Sequence, residues 1–524
     1  MKSFAKNLSQ HNLRRWGVDL LLLAMFVLTT YLYALLMVRD RVPIPGLIAL
    51  VALGLAHWTL AGRRNPTPLD LPILWLLTLL PLNLAVSIDR GMTLTKVTGA
   101  LLGVALFYLM AQFVTNRDRL HLALLALLVL ALGLAGLGLV GTDWSSTKVF
   151  ALPQVYNALP SLVESVPRSR AGGIQSNLMG GALAFLAPFL FSLLWDRGRF
   201  DLARVLKLEG SLRPLKIAYK VLVVLALLTV SFTLLLTQSR AALLGALVGA
   251  LAAAIWHERR FLWALPALLV NALLAWRFIG ADTLAGFFTS IDAREGITLP
   301  LRGEFWARGL RLVQDFPFTG TGIGTYSALV RMFYPFSTAS SATIASTDLL
   351  MTHAHNQVIT MATDLGLPGL VLYAALFGGF AAMVAYTWRY ADRLAQAVLV
   401  GLTCGLLAHQ VFGVMDAFML GSKLAALLWI FLGLGAALYV HRWHIAGPRR
   451  APKRVIRSFW KQLISWLLLL VQGLAGWVFF SLLAVAFVHT NTIVSLALAV
   501  MGGAALGVLL VVVYEAAFYE KGVS

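Results

Sequence analysis

Residues His353 to Gly369 read HAHNQVITMATDLGLPG, two histidines and an asparagine running directly into an apolar stretch. The rest of the chain is too hydrophobic for a soluble domain, so this segment reads as the polar entrance to a membrane helix. Of 524 residues, 60% are hydrophobic and only 12% charged, and the mean hydropathy is +0.82, far outside the range of soluble proteins. Apolar runs of about 18 to 22 residues, enough to cross about 30 Å of hydrocarbon as a helix, recur from end to end. Short alternating strands do not, which excludes a barrel. The expectation is an all-α polytopic membrane protein. In such a protein a cluster of ionisable groups at a helix entrance marks a place for chemistry or substrate binding.

Working outward, hydropathy predicts about fourteen transmembrane helices. The first five start near Val18, Ile44, Leu71, Leu94 and Leu120. The run Val18 to Met37 is longer than a signal-peptide core and lacks a small-residue cleavage site, so it is expected to be retained. A longer loop, Gly141 to Gly173, precedes spans starting near Ile174, Ile217, Ala241 and Phe261. From Gly280 to Asp364 no run is apolar enough to span. Within it, Leu301 to Gln314 interleaves Phe305, Trp306, Leu310 and Val313 with Arg302, Arg308 and Arg311, the pattern of an amphipathic helix at a membrane interface. Three spans follow near Gly366, Leu394 and Leu424, then a basic stretch from Arg442 to Lys461, then two last spans. The expected organisation is a twelve-span core over 1–440 with an outer loop at 280–364 between spans nine and ten, a basic linker over 441–461, and a two-span extension over 462–524.

The formal charge of +20 invites a nucleic-acid partner, but Lys and Arg also collect in cytoplasmic loops of membrane proteins. Here they fall in alternate loops, at Lys2 to Arg15, Arg63-Arg64, Arg117/Arg119, Arg197 to Lys216, Arg259-Arg260, Arg389/Arg393 and Arg442 to Lys461. Both termini are therefore expected in the cytoplasm and the 280–364 loop on the outer face. The single cysteine, Cys404, lies in an apolar run and can form neither an internal disulfide nor a cysteine metal site.

Three places put cations on the outer side, where topology gives no reason for them. Thr237-Gln238-Ser239-Arg240 is a turn so short that Arg240 sits at the membrane surface. It either snorkels to lipid phosphates or holds a phosphate with its planar fork. Arg302 heads the amphipathic helix, and Arg168/Arg170 precede Gly172-Gly173 and Asn177. Each alone reads as a solvated charge; together on one face they describe an anion site.

His353 and His355 lack the i, i+4 spacing of helical zinc ligands, and no third ligand is near in sequence. The alternatives are a histidine that serves a helix start and a general base, for which imidazole is suited by titrating near neutrality. Gly320-Thr-Gly322-Ile-Gly324 has neither a preceding strand nor Walker spacing, so it reads as a backbone-close turn. Asp416 and His409, in or beside one span, could form a buried polar pair or a proton path.

In combination, several of these features resemble the O-antigen ligase and polymerase superfamily of lipid-linked glycan transferases. They are His355-Asn356 followed nine residues on by Gly366-Leu-Pro-Gly369, the Ser239-Arg240 turn, Arg302 with Trp306, Pro317 to Gly324, and Arg170 with Gly172 and Asn177. The resemblance implies a fold similar to the C-type (GT-C) membrane glycosyltransferases, in the bacterial inner membrane, with the 280–364 loop and the active site on the periplasmic face. It implies an enzyme that moves a glycan from undecaprenyl diphosphate to a hydroxyl of lipid A core with inversion, using no nucleotide sugar, cofactor, metal or nucleic acid. His355 would be the general base, and Arg240, Arg302 and Arg170 would grip the diphosphate, supported by His353, Asn356, Asn177 and Ser239. Polymerases, whose acceptor is another lipid-linked glycan, carry the same motifs, and so do relatives that glycosylate protein. The two-span extension departs from the twelve-span members. A rival of another class is a lipid-linked glycan transporter, but no duplicated halves with matching broken spans are present.

Overall fold

A computed structural model of the chain describes residues 2–39, 41–61, 66–142, 174–196, 213–279, 299–334, 353–442, 444 and 459–519. The described residues form helices and no named strand. In chain order they are α1 (Lys2–Arg39), α2 (Ile44–Ala61), α3 (Asp70–Val86), α4 (Arg90–Phe113), α5 (Arg117–Gly141), α6 (Ser176–Leu193), α7 (Arg213–Thr237) and α8 (Arg240–His257). There follow α9 (Ala264–Ile279), α10 (Leu299–Asp315), α11 (Tyr326–Phe333), α12 (Gln357–Trp388), α13 (Arg393–Gly413), α14 (Ala426–Val440), α15 (Phe459–Ala486) and α16 (Thr492–Phe518).

Short turns between these helices end in side chains that accept the first orphan backbone amides. Asp89, Asn116, Asp392 and Asn491 cap α4, α5, α13 and α16 in this way. Among the described residues, twelve helices are long and apolar enough to cross a membrane, and the protein is a multi-pass membrane protein. The expected fourteen spans also counted α3 and α9, which have 17 and 16 residues. Large apolar side chains on α1, α2 and α15 face outward, Phe26, Ile48 and Val471 among them, as a lipid-facing perimeter requires.

The last two helices pack on the helix that the histidine motif begins. A methyl group at Gly503 would lie 2.2 Å from Val371 O and one at Gly507 2.1 Å from Ala375 O, so α16 and α12 meet backbone to backbone along small residues. At one end Gln314 Nε2 of α10 donates to Thr492 Oγ1 at 2.7 Å. At the other end Arg442 Nη2 meets Glu515 Oε1 at 2.6 Å. Trp477 Nε1 of α15 donates to Pro368 O at 3.0 Å.

α12 starts at Gln357 and breaks at Gly366, where φ is +72°. The break frees two carbonyls and an amide that the 317–324 turn takes up: Thr321 N donates to Thr363 O at 2.8 Å and Gly322 N to Asp364 O at 3.3 Å, while Pro317 O accepts Leu367 N at 2.7 Å. The approach admits no side chain, since a methyl group at Gly320 would lie 2.5 Å from Asp364 O and one at Gly366 2.5 Å from Phe318 O. Gly320, Gly322 and Gly324 all have positive φ, which glycine adopts without steric cost. The two glycine motifs are thus the halves of one backbone joint, and the joint holds the start of α12 rigidly beneath the histidines.

Candidate active site

Asn356 caps α12, its Oδ1 accepting Ile359 N at 3.1 Å. His355 just before it has φ +50°, a left-handed conformation that costs a non-glycine residue free energy and persists only where surroundings enforce it. The enforcement is visible. His355 N donates to His353 Nδ1 at 3.1 Å, and Trp306 Nε1 of α10 donates to His355 O at 3.3 Å. Phe305 stacks on the His355 ring with centroids 5.5 Å apart.

The same helix start recruits the 414–422 segment. Gln357 clamps Phe418, accepting its N–H at 2.8 Å and donating to its carbonyl at 3.1 Å, and Asn356 Nδ2 donates to Val414 O at 3.1 Å. Between those anchors lies Asp416, 4% exposed. Its Oδ1 is 3.4 Å from His353 Nε2 and 3.3 Å from His355 Nδ1, and Ala417 N donates to it at 2.9 Å. The sequence suggested His409 as a partner for Asp416, but His409 instead stacks between Phe185 and Phe418.

One hydrogen bond assigns a proton. His353 Nδ1 accepts, so the neutral ring carries its proton on Nε2, facing Asp416. His355 Nδ1 faces the same carboxylate oxygen at 3.3 Å, and a carboxylate can only accept, so the tautomer that matches this contact has its proton on Nδ1 and its lone pair on Nε2. Burial holds His353 far below its ordinary value of 6.5, at about 3; His355 pushes the same way, Asp416 opposes, and the Lys96 charge adds to the lowering. Burial raises Asp416, but the contacts of His355 and His353 and the Ala417 N–H outweigh it and hold the carboxyl well below the usual carboxylate range.

His353, His355 and Asp416 each offer a ligand atom, all within 4.8 Å of one another, so distance alone would permit a metal ion. The proton assignment argues otherwise. Binding a metal through His353 Nε2 would need its proton on Nδ1, where the His355 amide already donates.

Arg302, Phe305, Trp306 and Gly309 recur at i, i+3, i+4 and i+7 on α10, one face of a helix. That face is the one laid on the histidine loop, since a methyl group at Gly309 would meet Ile359 and Ala354. Arg302 is half-buried, and its Nε has no hydrogen-bond partner among the described residues. The turn bearing Ser239 and Arg240 packs on α6: a methyl group at Gly180 would touch Thr237 and Ser239, and one at Gly181 would touch Phe412 and Phe418. Asn177, in the first turn of α6, and Arg240, the first residue of α8, are both half-buried. Arg240 and Asn177 are thereby brought to the end of the bundle that holds Asp416. Arg170 lies outside the described residues. Asp416 escaped sequence reasoning as a partner of the histidines, because it arrives from a distant turn with no motif of its own.

The model of the O-antigen ligase family matches residues 222–374. Over that stretch the chain is similar to the O-antigen ligase family. The matched stretch includes Arg240, Arg302, His353, His355 and Asn356, and it stops short of Asp416. No curated protein matches the chain.

Proposed function

We propose, from the likeness of its central segment to the O-antigen ligase family, that the protein is a ligase that moves a glycan from undecaprenyl diphosphate to a hydroxyl of lipid A core. The observation that carries the reading is the His355–Asp416 contact at 3.3 Å, held from the other side by the arginine-bearing helix α10. His355 Nε2 takes the proton of the acceptor hydroxyl as its oxygen attacks the anomeric carbon. The bond from that carbon to the diphosphate breaks on the opposite face, which inverts the centre. Asp416 stabilises the imidazolium that forms, and His353 shares the carboxylate and stays neutral.

The leaving diphosphate gathers negative charge as the bond breaks. Arg240, Arg302 and Arg170 meet it with planar, permanently charged forks, so no separate acid is needed at the leaving oxygen. Ser239, Asn177 and Asn356 shape the ends of the helices around it. A positioned base is worth about 10² to 10⁴ in rate. No metal takes part in this scheme. In this reading both termini are cytoplasmic and this end of the bundle is periplasmic, the membrane being the inner one.

The test is reconstitution of the purified protein with undecaprenyl-diphosphate oligosaccharide, with and without lipid A core, beside His355→Ala. Modified core that disappears in the variant is the expected result. A lengthening lipid-linked ladder without core would make the protein a polymerase of the same superfamily. Donor that binds but yields no product with either protein would move the reading to transport.

A further inference from the structure

α15 and α16 have no part in the scheme above, yet they hold both helices that meet at His355. α16 reaches α10 through its first residue. Thr492 donates its hydroxyl proton to Val488 O at 3.0 Å, which leaves the oxygen free to act as an acceptor. Gln314, in the last turn of α10, supplies the N–H at 2.7 Å.

α12 is held just past its break. Trp477 Nε1 of α15 donates at 3.0 Å to the carbonyl of Pro368, two residues beyond Gly366. The Trp477 ring stacks on Trp75 of α3 with centroids 5.6 Å apart. α3 in turn grips the joint through Asn83, whose Nδ2 donates to Asp364 O at 2.5 Å and whose Oδ1 accepts Ile323 N at 2.9 Å. The two sides of the break are thus fixed by α3 and α15, and the stacked indoles join those two helices to each other.

The lever arm of α10 shows how far such contacts reach. Trp306, which holds the His355 carbonyl, lies eight residues before Gln314, and Arg302 twelve. The 317–324 turn is the pivot of α10, and the Gln314 amide beside it fixes the angle. A tilt of about 5° there, over arms of about 12 and 18 Å at 1.5 Å per residue, carries Trp306 about 1 Å and Arg302 about 1.5 Å out of place. A misplacement of about 1 Å by a change far from the chemistry can cost about 10²-fold in rate.

We propose that α15 and α16 are a positioning element of the reaction centre: Thr492 sets the angle of α10 through Gln314, and Trp477 sets the second half of α12 through Pro368. Gln314, Thr492 and Trp477 act through the α10 face and His355 rather than on substrate. The inference rests on the glycan-transfer reading.

Full-length protein in proteoliposomes is assayed for transfer from undecaprenyl-diphosphate oligosaccharide to lipid A core. In a Cys404→Ala background, spin labels on Arg311→Cys and Val414→Cys, both exposed positions, report the distance from α10 to the Asp416 segment. Gln314→Leu, Thr492→Val and Trp477→Phe should each lower kcat about 10- to 100-fold with the donor KM within about twofold. Gln314→Leu and Thr492→Val should also broaden or shift the label distance. Thr492→Ser keeps the accepting oxygen and should behave as wild type in both measurements. Gln314→Leu combined with Thr492→Val should be no worse than either alone, as for two ends of one contact. A lowered melting temperature with kcat and label distance unchanged would overturn the proposal, because the two helices would then only add stability. Equal loss of rate in Thr492→Ser and Thr492→Val would overturn it too. Wild type that transfers no glycan would strike the transfer reading instead, and the label distance would then still decide whether Gln314 fixes α10.

Discussion

Asp416→Asn isolates the contribution of the carboxylate between the two histidines. Asparagine keeps the volume and an oxygen that can accept from one imidazole, so the packing around Phe418 and Gln357 is retained. What is lost is the negative charge 3.3 Å from His355 Nδ1 and 3.4 Å from His353 Nε2. A hydrogen bond to a charged group is worth about 1.5 to 3 kcal/mol. Losing about 2 to 3 kcal/mol only when the imidazolium forms lowers kcat about 30- to 150-fold. Asp416 is 4% exposed and lies behind the histidines, so KM for the donor should move by less than about twofold, and His355→Ala should cost about 10² to 10⁴. The assay is steady-state transfer in proteoliposomes with a fluorescent core acceptor, accompanied by thermal unfolding of each variant. Because the two residues act as a unit, the double variant should be little worse than His355→Ala alone. A kcat near wild type in Asp416→Asn, with an intact fold, would refute the assignment of His355 as a base held by this carboxylate.

Gly366→Ala should lower the melting temperature and the transfer rate together. Its φ of +72° and the 2.5 Å approach to Phe318 O make a cost of at least about 2 kcal/mol, and an unchanged melting temperature would count against the joint. Arg302→Ala should reduce kcat about 10²-fold, as loss of one transition-state donor does elsewhere; Arg302→Lys should recover only part, since a point charge lacks the bidentate fork, and equal activity of the two variants would argue against fork binding. Stability should fall on acidification. His353 stays neutral in the folded protein because burial holds it at about 3, whereas the unfolded chain takes up the proton below its ordinary 6.5. The stabilisation is present above that value and is lost as pH falls through it, by about 1.4 kcal/mol between pH 7.5 and 5.5. Chemical denaturation at the two pH values should show this loss in wild type and a smaller one in His353→Gln.

The sequence by itself determined the class of the molecule, because a backbone in hydrocarbon must satisfy its own hydrogen bonds and long apolar runs leave it only the helix. It also located the amphipathic helix, read as Leu301 to Gln314 and found as Leu299–Asp315, since a 3.6-residue period is a local property. His355-Asn356 stood out for the same reason: polar residues at the head of an apolar run need no partner to be noticed. Only the tertiary structure decided who answers whom. Asp416 meets His353 and His355 through a turn held by Gln357, Gly320 meets Gly366 across a helix break, and Gln314 meets Thr492. Each of these is a contact between residues far apart in the chain, made by side chains and carbonyls whose identities are unremarkable singly. Their chemistry arises from burial and proximity, which packing creates and which no local pattern records.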